Sequence, residues 1–488
     1  MNGDITRTTI IHSLFWKLLE RGGTQAIQLL VMIILTRLLT PGDYGVIAIV
    51  AVFISIATLL ADSGFCESLI QKKKVEDIDF SSVFFLNLLV ACLLYIILFF
   101  TAPYAALYFE APQLKAILRI LSLTVFISVC NSIQYAVIAR SMQFKKLVKS
   151  SLAAAVFAGL AGVVLACTGF GIWALVVQQL TNQLLVTVLL WFSVKWRPQL
   201  LFSTKHISIL YSFGWKLVAS TLIYNLYTSL QSFVIGKLFS PVMLGYYSRG
   251  AQLPNILVSN INGSIQSVMF PALASRQDDK ERMKEMIRRA IVTSSFILFP
   301  LMMGLAVIAE PLIRLLFTEK WLPAAVFLQI FCGYYALWTV DSANLHVIKA
   351  VGRSDLFLKL EIVKFIMGTI ILVSSLPFGV YGVAVGVLIN RILTTIVDAW
   401  PMKALLDYSL VAQIRDVLPS LFLALSVGTI VYSIHLAGLP DMLTIFLQII
   451  IGAALYIGLA IVLKVESFTY LLLTMKHMIK SEGRLTIE

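Results

Sequence analysis

The sequence predicts an all-α polytopic membrane protein of about 14 transmembrane helices. Two parallel six-helix repeats surround a central cavity, and two further helices follow at the C-terminal end. Three observations predict this. Of 488 residues, 59% are hydrophobic and 13% charged, with a mean hydropathy of +0.91, whereas a soluble domain carries about a quarter charged residues. So few charges cannot cover a water-exposed surface, which excludes a soluble enzyme, and so much apolar content excludes disorder. Second, the chain contains a series of apolar runs, each long enough to cross ~30 Å of hydrocarbon as a helix. Third, the chain resembles itself at offsets of 199–213 residues.

The runs fall at 14–38, 45–62, 81–102, 116–138, 150–168, 171–193, 208–236, 245–270, 290–309, 323–346, 356–376, 380–398, 417–436 and 443–463. The first follows a mixed start (Asp4, Arg7), is too long and lacks an A-x-A site, so it is not expected to be a cleavable signal peptide. The eighth is the most polar, and its Pro254 and Gly263 favour a bent helix. Residues 271–289 read as a short amphipathic helix, and no loop has room for a folded domain outside the bilayer. The five cysteines (Cys66, Cys92, Cys130, Cys167, Cys332) form no C-x-x-C pair and read as small hydrophobes. No G-x-x-x-x-G-K-[ST] motif supplies a nucleotide site.

Orientation follows from the basic residues. With the N-terminus inside, the inner segments hold 25 of the 38 lysines and arginines. The outer segments hold 5: Arg37, Lys115, Lys237, Arg314 and Lys320. Both termini therefore read as cytoplasmic. The net charge of +13 reflects those inner loops and calls for no nucleic-acid partner.

The repeat is carried by three motifs in order. Trp16-Lys17-Leu18 leads a run ending Thr40-Pro41-Gly42-Asp43-Tyr44-Gly45, and Trp215-Lys216-Leu217 leads one ending Ser240-Pro241-Val242-Met243-Leu244-Gly245. Arg140-Ser141-x-x-Phe144-x-Lys146-Leu147 recurs as Arg353-Ser354-x-x-Phe357-x-Lys359-Leu360. Phe170-Gly171 with Asn182 recurs as Phe378-Gly379 with Asn390. An even number of spans per copy makes the repeat parallel, the plan of transporters built from two such halves. The expected domains are an N-terminal bundle over 1–199, a C-terminal bundle over 200–403, two extra helices over 404–464 and a cytoplasmic tail over 465–488.

Polar stripes mark faces that cannot look at lipid. Lys17, Arg21, Gln25 and Gln28 share one face of the first run, and Lys216, Ser220, Tyr224 and Tyr227 share the matching face of the seventh. Gln252, Asn255, Ser259, Asn262 and Gln266 line the eighth. A charge at the bilayer centre costs from ~3 to over 10 kcal/mol, so these faces meet other helices or water. Arg21 reads either as a cavity cation or as a structural Arg paired with Glu20 or snorkelling inward. The eighth-run stripe reads either as polar glue between helices or as a wet wall for a polar substrate. Arg391, beside Asn390, is a candidate cavity cation, and Asp341 is its candidate partner or a coupling-ion ligand. Arg119 and Arg249 lie near outer ends and read as snorkelling. Deep cations outnumber the acids counted with them (Glu20, Asp62, Asp341, Asp398). That balance suits an anionic substrate, and the planar Arg fork suits phosphate. The binding set is thus Arg21, Gln25, Gln28, Lys216, Tyr224, Gln252, Asn255, Ser259, Asn262 and Arg391. No residues are assigned to catalysis or to a metal. His435 and Asp441 stand alone, and His12, His206 and His477 lack ligand spacing. His346 is a poor helical pair for Asp341.

Thr36-Arg37-Leu38-Leu39-Thr40-Pro41-Gly42-Asp43-Tyr44-Gly45 resembles the "aRlLtPedyG" signature of Wzx-type polysaccharide biosynthesis and export proteins. These belong to the multidrug/oligosaccharidyl-lipid/polysaccharide exporter superfamily. Ala139-Arg140-Ser141-Met142-Gln143-Phe144-Lys145 resembles their R-x-x-x-F inner-loop motif, and Phe170-Gly171-Ile172-Trp173-Ala174-Leu175 resembles the start of their sixth span. The likeness covers nearly the whole chain and lies nearest the colanic-acid and teichuronic-acid exporter branch. It implies a non-enzymatic flippase of the bacterial cytoplasmic membrane. Such a protein moves undecaprenyl-pyrophosphate-linked oligosaccharide by alternating access for surface polysaccharide biosynthesis. No cofactor is implied beyond coupling to H⁺ or Na⁺. The implied partners are the lipid-linked oligosaccharide, the bilayer, and polymerase and chain-length proteins. The alternatives are a cation-coupled multidrug exporter of the same superfamily and a membrane-embedded polysaccharide polymerase or ligase. The former usually has 12 spans and buried acids; the latter usually carries a large outer loop.

Overall fold

The computed structural model describes residues 7–62, 65, 66, 69, 75–141, 143–274 and 279–469. Among them all regular structure is helical, as expected from the apolar runs. Among the described residues, nine segments are both long and apolar enough to cross a bilayer. Five further long helices, Arg7–Leu38, Thr204–Leu238, Pro241–Ala274, Ser354–Ser375 and Gly379–Leu406, carry the polar stripes and deep charges. The chain divides into two compact units, Met1–Ser248 and Arg249–Glu488.

The first unit contains α1 (Arg7–Leu38), α2 (Pro41–Asp62), α3 (Asp77–Tyr108), α4 (Gln113–Leu121), α5 (Leu123–Ser141), α6 (Phe144–Cys167), α7 (Trp173–Ser193), α8 (Thr204–Leu238) and the first turns of α9 (Pro241–Ala274). Its packing joins helices near and far in sequence: α6 lies against α7, which follows it directly, and against α1, more than a hundred residues earlier. Hydroxyls inside these apolar helices bond back to their own turns. Thr24 Oγ1 donates to Glu20 O at 2.6 Å and Ser128 Oγ to Val125 O at 2.7 Å, so these two hydroxyls are not left bare in hydrocarbon. The segment after α7 is strapped to the start of α3, where Gln199 N donates to Ser81 Oγ at 3.1 Å and Ser203 N to Ser82 Oγ at 3.0 Å.

The paired Thr/Ser-Pro…Gly motifs gain a physical role here. Thr40 and Ser240 cap α2 and α9: Asp43 N donates to Thr40 Oγ1 at 3.3 Å and Met243 N to Ser240 Oγ at 3.1 Å. Thr40 N in turn donates to Asp43 Oδ2 at 2.9 Å, closing a reciprocal box. Pro41 and Pro241 occupy the first helical position, where no N–H is needed. The glycine four residues on then meets the other motif's proline. A Cβ at Gly45 would strike the backbone of Pro241, and a Cβ at Gly245 would strike that of Pro41. The two copies thus cross at main-chain distance through mutually equivalent residues, which only a glycine permits.

The second unit contains the rest of α9, then α10 (Lys280–Val307), α11 (Ala309–Phe317), α12 (Ala324–Ala336), α13 (Trp338–Ala350), α14 (Ser354–Ser375), α15 (Gly379–Leu406), α16 (Leu410–Tyr432) and α17 (Asp441–Val462). The fourth span is interrupted in both copies, at Ser122 and at Leu337. α10 packs against α16 through Phe296, Phe299, Leu423 and Val427, with Tyr456 of α17 donating to Phe296 O at 2.9 Å. The separate amphipathic helix expected over 271–289 is not what forms. Residues 280–289 are the opening turns of α10, capped by Asp279, whose Oδ1 accepts from Arg282 N at 3.1 Å. With a cap in place and no breaker before Pro300, the charged turns and the apolar run propagate as one helix.

Candidate functional site

In the second unit a network of five charged side chains lies within three neighbouring helices. Arg391 of α15 pairs with Asp341 of α13, Nη1 to Oδ2 at 2.7 Å, the two side chains being 11% and 5% exposed. The guanidinium also lies over the rings of Tyr334 and Trp338, at 4.7 and 4.8 Å. Desolvated contacts of this kind are worth about 2 kcal/mol. Lys364 of α14 donates to Glu361 Oε1 at 2.7 Å and to Asp398 Oδ2 of α15 at 3.1 Å. Arg391 and Asp398 stand two helical turns apart on one face of α15.

Depth decides what this costs. α14 is 22 residues long, about 33 Å at 1.5 Å per residue. Glu361 and Lys364 stand about 10 and 15 Å from its first residue, and Arg391 about 18 Å from the first residue of α15. Isolated charges there would be prohibitive, so each cation is matched by an acid. Three carboxylates face two cations. The surplus of deep cations expected from the sequence is therefore replaced in this unit by a compensated network.

A second polar link joins α13 to α16. Asn344 Nδ2 donates to Gln413 Oε1 at 3.0 Å, and Gln413 Nε2 returns to Asn344 Oδ1 at 3.2 Å, both side chains fully buried. The site thus has a polar support outside the six-helix repeat.

The structure brings together two of the residues expected from sequence, Asp341 and Arg391. The side chains of Arg21, Lys216 and Asn262 fall outside the described residues. Gln25 is half-buried on α1, and its Oε1 is buried with no donor among the described residues. Gln28 and Tyr224 are exposed on α1 and α8. Gln252 accepts from Arg249 one turn earlier, Asn255 is exposed, and Ser259 donates to Ile256 O of its own helix at 3.2 Å.

Sequence reading missed Glu361, Lys364 and the aromatic pair Tyr334 and Trp338. The signal was present as an i, i+3 acid–base pair inside an apolar run of transmembrane length. The twelfth apolar run ends at Asp398. The helix continues to Leu406 through Pro401, which puts Asp398 inside it.

Outside the spans, charge is handled differently. Arg353 forks onto Asp355 at 2.9 and 3.0 Å and holds that exposed carboxyl down at about 2. Tyr408, buried in the turn before α16, donates to Asp416 Oδ2 at 2.7 Å. Burial first, then that hydrogen bond, keep its phenol proton above the usual tyrosine range.

Hydrocarbon-length helices with charges held among them define a multi-pass membrane protein. The chain belongs to the polysaccharide biosynthesis protein family, whose profile matches residues 34–326. It is similar to the succinoglycan biosynthesis transport protein ExoT of Rhizobium meliloti (strain 1021), 26% identical over 356 residues, 72% of each chain. It is similar to the lipopolysaccharide biosynthesis protein WzxC of Escherichia coli (strain K12), 26% identical over 379 residues, 76% of each chain. Its fold matches that of lipid II flippase MurJ in an inward closed conformation. The TM-score is 0.76 at 17% identity, over 95% of this chain and 100% of that one. The family resemblance read from the short motifs holds. The chain is a membrane transport protein of polysaccharide biosynthesis, not an enzyme.

Proposed function

We propose that this protein carries undecaprenyl-pyrophosphate-linked oligosaccharide repeat units across the bacterial cytoplasmic membrane by alternating access, with both termini in the cytoplasm. The observation that carries the reading is the Asp341–Arg391 pair held under two aromatic rings at mid-depth. A bare cation could not be kept there, and a carboxylate partner stabilises it until an anionic group arrives. A pyrophosphate can take the place of Asp341 on the Arg391 fork, because both ligands present paired oxygens. The exchange conserves charge pairing, so the head group gains a foothold without an unpaired guanidinium at any stage. Asp341, once released, is the group on which H⁺ or Na⁺ would act as coupling ion. The names of the succinoglycan and lipopolysaccharide relatives support a polysaccharide cargo. Polymerase and chain-length proteins would receive the product on the far side.

Deletion of the gene in its host tests this directly. The expected result is loss of surface glycan while complete lipid-linked repeat units accumulate in the inner leaflet. Absence of those units would instead place the protein in their synthesis. Normal glycan with altered drug sensitivity would indicate a multidrug exporter.

A further inference from the structure

The second unit holds a cavity of about 780 Å³ between α10, α16 and the end of α17. Its lining is graded. Val292, Phe422, Leu423 and Leu459 form an apolar floor toward the span interior, and Arg288, Arg415 and Lys464 stand at its mouth with Asp416 and Glu466. The two acids are already committed. Arg288 reaches Asp416 at 3.0 and 3.1 Å and Glu466 at 3.1 and 2.9 Å, four charge-assisted bonds from one guanidinium. Arg415 and Lys464 have no acidic partner among the described residues. Both sit at helix ends, Arg415 in the second turn of α16 and Lys464 just past α17, the level of lipid head groups.

We propose that this cavity binds an anionic phospholipid, with the phosphate between Arg415 and Lys464 and an acyl chain along Phe422, Leu423 and Leu459. The clamp of Arg288, Asp416 and Glu466 forms the rigid rim against which the head group rests. An apolar floor beneath two unclaimed cations fits an amphiphile with one anionic end, and a volume of this size lies within the range of small-ligand sites. A soluble phosphate would leave the floor unused, and a zwitterionic lipid would leave the charge uncompensated. The site is separate from the Asp341–Arg391 pair, so this proposal stands or falls independently of the transported cargo.

The test uses the purified full chain in detergent with dioleoyl phosphatidylglycerol, dioleoyl phosphatidylcholine and glycerol 3-phosphate as probes. Phosphatidylglycerol is expected to remain bound in native mass spectrometry and to raise the thermal midpoint, whereas the other two do neither. The Arg415→Gln/Lys464→Gln variant is expected to bind it roughly 25-fold more weakly, from about 1 kcal/mol per basic residue. Ser426→Trp, which fills the cavity and leaves both cations in place, is expected to abolish retention, and it serves as the test if the charge variant does not fold. Equal binding of phosphatidylcholine, an equal midpoint rise with glycerol 3-phosphate, or undiminished phosphatidylglycerol retention in either variant would overturn the proposal.

Discussion

Two contacts hold distant parts of this chain together by opposite means. At the start of α2 and α9, Gly45 and Gly245 let two backbones touch, beside helix caps built from Thr40, Asp43 and Ser240. On α13, α14 and α15, five charged side chains meet through Asp341–Arg391 and Lys364 with its two acids. The first contact is defined by the absence of side chains and tolerates no added atom. The second is defined by charge and tolerates atoms but no unmatched partner. In hydrocarbon, where apolar burial does not distinguish helix from lipid, close backbone approach and polar pairing are two ways to specify a helix contact. The first serves shape alone, while the second also supplies groups able to exchange ligands.

The largest effect should come from unbalancing the charge network. Lys364→Ala leaves Glu361 and Asp398 without their ammonium and should cost about 3–5 kcal/mol, read as a lowered thermal midpoint in detergent. Lys364→Met combined with Glu361→Gln and Asp398→Asn should recover most of that loss. A triple variant no more stable than Lys364→Ala would show that charge balance is not what the network requires. At the glycine crossing, Gly45→Ala should lower stability by about 1–3 kcal/mol through overpacking against Pro241. Gly42→Ala, whose Cβ would find ordinary contacts no closer than 3.6 Å, should be nearly silent. Equal losses at the two positions would remove the backbone crossing from the account. Thr40→Ala removes only the α2 cap and should cost about 1 kcal/mol, with Thr40→Ser restoring the wild-type midpoint. The smallest effect concerns Asp355. Its carboxyl is depressed to about 2 in the fold by Arg353 and has an ordinary value of about 4 when unfolded. Its contribution is therefore present above about pH 4 and lost as pH falls toward 2. Asp355→Asn should lower the midpoint slightly at neutral pH, where the contribution is present, and change nothing near pH 2.

Much of the fold was legible because a bilayer leaves few choices. Apolar runs of hydrocarbon length must be helices, and the ordered recurrence of Trp-Lys-Leu, Pro…Gly and Arg-Ser motifs marked the repeat. Gly45 and Gly245 were visible as repeat mates, but their contact with Pro241 and Pro41 was not, since sequence gives no crossing point. Asp341 and Arg391 were found because each is an anomaly in an otherwise apolar run. Glu361 and Lys364 were passed over because an i, i+3 acid–base pair is the usual mark of a solvated face, and only the neighbouring helix carrying Asp398 shows that face to be buried. Counting charges by sign suggested a cationic interior; pairing depends on which helices adjoin, which the count does not contain.

The central claim is that Arg391 handles the cargo and is not merely a structural ion pair. The direct measurement is complementation of the deletion strain by the doubly neutral variant Asp341→Asn/Arg391→Gln, with folded yield checked by size-exclusion chromatography. Removing both charges together leaves no unpaired ion, so the protein should fold at near wild-type yield. It should nevertheless fail to restore surface glycan, with lipid-linked repeat units stranded in the inner leaflet. A well-folded double variant that restores glycan at the wild-type level would contradict the account.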